Sequence, residues 1–143
     1  MNVLLGEWET PFGLPPFAEI GEEDFAPAFE EALAEAREAV NRIAADPDRP
    51  DFANTIEALE RAGERLGRVA AVFFNLANAD TSDRIEALQR EISPKLAAFH
   101  SEVAMNPALF ARVDRLMQLR DDLGLTDEQA RVLELYHRMF VRA

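Results

Sequence analysis

Apolar residues recur along this chain at spacings of three and four, a rhythm that predicts helices rather than strands. Phe25, Phe29, Leu33, Ala36, Val40 and Ile43 form the first stripe, on a helix expected to begin near Gly21 or Glu22. Glu22, Glu23 and Asp24 suit its positive end, and Pro27 falls in the first turn, where a missing amide donor is tolerated. The run "DPDRPD" at 46–51 ends this helix and reads as a short polar connector, not a domain linker. A second helix opens at "DFANTIEALE" with Asp51 as its cap, and Phe52, Ile56, Leu59, Leu66, Val69 and Phe73 repeat along one side. Gly63 and Gly67 lie four apart inside it. Each costs about 0.8–1.0 kcal/mol relative to alanine, so a close crossing by another helix is the expected compensation, with plain tolerance at an exposed position as the alternative.

Asp80, Thr81 or Ser82 can cap a third helix, whose face is Ile85, Leu88, Ile92, Leu96, Phe99 and Val103. Pro94 removes a donor and crowds the carbonyl of Arg90, which predicts a kink there or a restart capped by Ser93. In "NPALFARVDRLM", Asn106 caps, Pro107 opens the first turn, and Phe110, Val113 and Met117 follow as the apolar positions. Thr126 and Gln129 have capping-box spacing at the head of "LTDEQARVLELYHRMF". The expected fold is all-α, an antiparallel helical bundle with short connectors and no repeat of fixed period. Residues 1–20, "MNVLLGEWETPFGLPPFAEI", carry too many prolines and glycines for a helix and too many large apolar residues for a free tail. They predict an extended arm lying on a helical domain of residues 21–143, with Phe17 and Ile20 as anchors. A chain end whose proper partner is missing is the plainer alternative.

Composition narrows the partners. A chain of 143 residues with 48% hydrophobic content can bury one modest core. Its formal net charge of −12 disfavours nucleic acid and acidic membrane surfaces, both of which attract positive charge. No apolar run approaches the roughly 20 residues that span a bilayer. "MNVLL" lacks the length and basic start of a secretory signal, so a cytoplasmic location is the simplest expectation. Without cysteine the chain has neither disulfides nor thiolate chemistry.

Residues able to do chemistry are sparse. His100 and His137 fall in separate predicted helices, and no His-Glu-x-x-His run supplies two ligands one turn apart with a glutamate between them. Each histidine reads more simply as a partly buried helix residue with one hydrogen bond. Glu30, Glu31, Glu35 and Glu38 read as a hydrated helix face, and Ser82, Ser93 and Ser101 lack the context of an activated nucleophile. The stretch "VFFNLANADTSD" at 72–83 is the one place that suggests a substrate lip. There Phe73 continues a packing stripe while Phe74 lies about 100° further round, so core packing ending in a turn is the preferred reading. Asn75 and Asn78 could bind main chain at the helix end or contact a peptide. No catalytic, cofactor-binding or metal-ligating residue is assigned.

Four segments, taken in order and spacing, resemble the amino-terminal region of thimet-type zinc oligopeptidases, above all the bacterial peptidyl-dipeptidases, with oligopeptidase A as a near relative. They are "PPFAEIGEEDFAPAFEEAL" at 15–33, "FANTIEALERAGERLGRVAAVFFNLANADTSD" at 52–83, "EISPKLAAFHSEVAMNPALFARV" at 91–113 and "LTDEQARVLELYHRMFVRA" at 125–143. The resemblance implies a two-lobed helical metallopeptidase with a deep channel for short peptides. In such enzymes zinc sits on a His-Glu-x-x-His helix with a further glutamate ligand, and the metal activates water for attack on the peptide carbonyl. None of those residues has a counterpart here. The resemblance therefore implies a non-catalytic amino-terminal portion, with no cofactor of its own and zinc in the complete enzyme. Its expected partners are the missing catalytic lobe of the same chain and short peptide substrates, and apolar area left uncovered favours self-association of the isolated segment.

Overall fold

The computed structural model describes residues 22–79 and 82–143. After a 3₁₀ turn at Glu22–Asp24, six α-helices follow: α1 (Phe25–Ala44), α2 (Ala58–Ala62), α3 (Glu64–Ala79), α4 (Asp83–Ala104), α5 (Pro107–Gln118) and α6 (Asp127–Arg142). A π-helical segment, Ala53–Glu57, leads into α2, and a second 3₁₀ turn, Arg120–Asp122, follows α5. No strand occurs among the described residues. The expected arm at 1–20 lies outside them, as do Asp80 and Thr81. Among the described residues no helix is long and apolar enough to cross a membrane.

The chain divides into two compact units. Of the described residues, one holds 22–36, 63–79 and 82–97, and the other holds 37–62 and 98–143. In the first unit, Phe25, Phe29, Leu33 and Ala36 of α1 are buried, as are Leu66, Val69 and Phe73 of α3 and Ile85, Ile92 and Leu96 of α4. Phe73 is the hub. Its ring meets Phe25 at 5.1 Å, Phe29 at 5.5 Å and Phe74 at 5.2 Å between centroids, all edge to face. That geometry sets the positive edge of one ring against the negative face of the next. Glu35 pairs with Arg65 at 2.8 Å, so as numbers rise along α1 its partners on α3 fall, and the two helices run antiparallel.

In the second unit, Val40 and Ile43 of α1 are buried, with Thr55, Ile56, Leu59, Phe99, Leu109, Val113, Leu116, Leu133 and Phe140. Helices α5 and α6 pack antiparallel: Phe110 lies near Phe140, Asp114 bonds His137, and Arg120 reaches Glu134 at 3.6 Å. Gly124, at φ 65°, makes the left-handed turn between them that a side chain would strain.

The helix starts follow the sequence signals. Asn106 Oδ1 accepts from the amides of Ala108 and Leu109, and Pro107 occupies the first turn of α5. Thr126 and Gln129 form the reciprocal capping box of α6. Ser82 Oγ accepts from the Ile85 amide at 3.1 Å and so caps α4.

Two expectations are corrected and a third is narrowed. The helix predicted from "DFANTIEALE" onward is not one regular rod: it begins with the π-helical segment and is interrupted at Gly63 between α2 and α3. The Ala58 amide reaches back five residues to the Ala53 carbonyl. Of the two outcomes expected at Pro94, a kink or a restart, the restart does not occur: α4 runs through it as 22 residues. Both Pro94 and Arg90 are exposed, so the carbonyl that loses its helical donor faces water. Gly63 and Gly67 support no close helix crossing, for a Cβ built on either meets nothing within 4 Å among the described residues. At Gly67, exposed inside α3, alanine therefore removes unfolded-chain entropy without a clash. Gly67→Ala should stabilise the chain by about 0.8 kcal/mol, read as a raised urea midpoint at unchanged slope; destabilisation would mean that something unseen packs there.

Candidate functional site

Each residue with chemical potential has a definite place. His100 is exposed on α4, its ring 5.8 Å from that of Phe99. His137, half-buried on α6, bonds through Nε2 to Asp114 Oδ1 at 3.0 Å, and its ring stacks on Phe110 with centroids 6.0 Å apart. A histidine oriented by an aspartate is part of a hydrolytic triad, but the triad also needs a nucleophile on the other ring nitrogen. No hydroxyl is hydrogen-bonded to His137 among the described residues. Ser82 is used as a cap, while Ser93 and Ser101 are exposed on α4. The pair instead fastens α6 to α5.

Among the described residues no group of three histidine, cysteine, aspartate or glutamate side chains could hold an ion. A hydrolytic zinc needs three such ligands and an open position, so the described residues do not fit it. Glu30, Glu31, Glu35 and Glu38 are all exposed, and the last two are engaged by Arg65 and Arg42.

The most constrained polar cluster was not legible as such. Arg112, 7% exposed on α5, donates through Nη1 to the carbonyls of Asp46 and Asp48, both at 3.0 Å. Its Nη2 donates to Asn54 Oδ1 at 3.0 Å and lies 3.8 Å from the Asp46 carboxylate. The same Asn54 oxygen accepts from the Asp51 amide and the Thr55 hydroxyl, each at 2.8 Å, and Asn54 Nδ2 donates to the Arg49 carbonyl. Asp51 Oδ1 accepts in return from the Asn54 amide at 2.6 Å, so Asp51 caps this turn as expected, with Asn54 closing the box. The signal for Arg112 was present: Leu109, Arg112, Val113 and Leu116 have spacings of a single buried face. Reading Phe110, Val113 and Met117 as the stripe turned that face by one position.

Two open hollows lie in the second unit. One, of about 450 Å³, is lined mainly by polar and small residues, among them Arg42, Asp46, Asn54 and Arg61. The other, of about 430 Å³, is a more apolar groove where the α4–α5 turn meets the end of α6, lined by Met105, Pro107, Phe110, Phe140, Val141 and Ala143. Met105 is 69% exposed and Val141 58%. Such a groove can hold an apolar side chain, and it offers no reacting group. In the stretch at 72–83, Phe73 is fully buried and Phe74 half-buried, while Asn75, Asn78 and Asp83 are exposed.

No family model matches the chain. It is 41% identical over all 143 residues to the dipeptidyl carboxypeptidase of Escherichia coli (strain K12), and 40% identical over 142 residues to that of Salmonella typhimurium (strain LT2). It is also 29% identical over 101 residues, 71% of its length, to oligopeptidase A of Escherichia coli. The match covers 21% of each dipeptidyl carboxypeptidase and 15% of oligopeptidase A, so the chain spans about a fifth of the length of the first relatives. The chain is thus homologous, at family level, to part of the bacterial dipeptidyl carboxypeptidases and oligopeptidase A.

Two outcomes follow from the geometry of the site. Arg112→Met should cost about 3 kcal/mol in urea unfolding, because it strips donors from buried acceptors. Arg112→Lys should recover little of that, since one ammonium cannot reproduce the two-nitrogen fork. Tyr136, the single tyrosine, has its hydroxyl pushed above the usual 10.0 by burial and then by the nearby Glu60 carboxylate. The folded chain thus holds that proton to higher pH than the unfolded chain. Its contribution to stability is complete below about pH 10 and is lost as pH rises from there through the folded value. Phenolate absorbance should rise at higher pH in the folded chain than in urea, and Tyr136→Phe should flatten that part of the alkaline stability profile.

Proposed function

We propose that this chain is the non-catalytic amino-terminal helical portion of a zinc-dependent peptidyl-dipeptidase or oligopeptidase acting on short peptides. The observation that carries the reading is identity of 41% across the full chain with a protein about five times as long, in a segment whose described residues offer no metal site. In this reading residues 1–20 are an arm on a domain of residues 21–143, which forms part of the wall or roof of the substrate channel. The catalytic lobe supplies zinc, its ligands and the general base. The lack of cysteine fits the reducing cytoplasm as its location.

A free-standing module that binds a peptide or protein is the second reading, favoured by the apolar groove with Met105 and Val141 exposed beside it. The two separate on the product of the uninterrupted natural gene, by intact mass, zinc content and peptide cleavage. A much larger zinc protein that releases carboxyl-terminal dipeptides, or cuts within short peptides, supports the first. A mature product ending at Ala143, with neither zinc nor cleavage, replaces it with the second.

A further inference from the structure

We draw no further inference here: the strongest candidate, the apolar groove where the α4–α5 turn meets the end of α6, with Met105 and Val141 exposed along it, carries nothing because nothing in the structure shows what covers it.

Discussion

A buried guanidinium holds the second unit together. The connector at 46–54 contains Pro47 and Pro50, which have no amide hydrogen, so it cannot close a regular ladder of main-chain bonds. Its carbonyls still need donors once they are turned inward. Arg112 supplies them to Asp46 and Asp48, and Asn54 supplies one to Arg49. A cation taken from water at this depth is tolerable only because several acceptors and the Asp46 carboxylate converge on it. The consequence is positional: the start of the π-helical segment is fixed on α5, and with it Thr55 and Ile56, both fully buried. Neither the connector nor the arginine could adopt its place without the other.

Helix boundaries proved legible where a cap states its own geometry. Asn106-Pro107 and the Thr126–Gln129 box act within three residues of themselves, so a single sequence contains all their partners. The stripes of α1 and α3 were readable because strong periodicity leaves one choice of face. The failures share a cause, which is that the deciding partner lies outside the local window. Pro94 brings no restart where it and Arg90 are exposed, and two glycines at a helical spacing look alike whether a helix crosses them or solvent does. Arg112 was hidden by its charge, for its acceptors stand 58 to 66 residues away. Such a residue is visible beforehand only as an arginine interrupting an otherwise apolar face.

The aromatic pair at 73–74 illustrates how packing and function compete for one motif. Two phenylalanines before an asparagine-rich turn could line a channel, yet three rings already surround Phe73. Full burial of one aromatic is worth about 1.5–3 kcal/mol by transfer alone, and the edge-to-face contacts add to that. A residue committed in this way shapes a surface only indirectly, by fixing where α1 and α3 lie. Among the described residues of the stretch, Asn75, Asn78 and Asp83 are exposed to other molecules and Phe74 is half-buried beside them.

The histidine-aspartate pair has the opposite character. It has the geometry of an orienting contact but nothing to orient toward, since no hydroxyl or metal cluster joins it among the described residues. Its stacking on Phe110 and its place between α5 and α6 make it a strut. The surfaces of the described residues are not uniform. A helix on the outside of a finished globule shows one apolar face, turned inward, and a polar face outward. Helix α1 obeys this rule, with Glu30, Glu31 and Glu38 outward. Helix α6 does not: it buries Leu133 and Phe140 on one side and leaves Leu135 and Met139 uncovered on the other. Asp127, Glu128, Arg131, Glu134, Arg138 and Arg142 are exposed around them, so the outward side of α6 mixes both signs of charge with two apolar side chains.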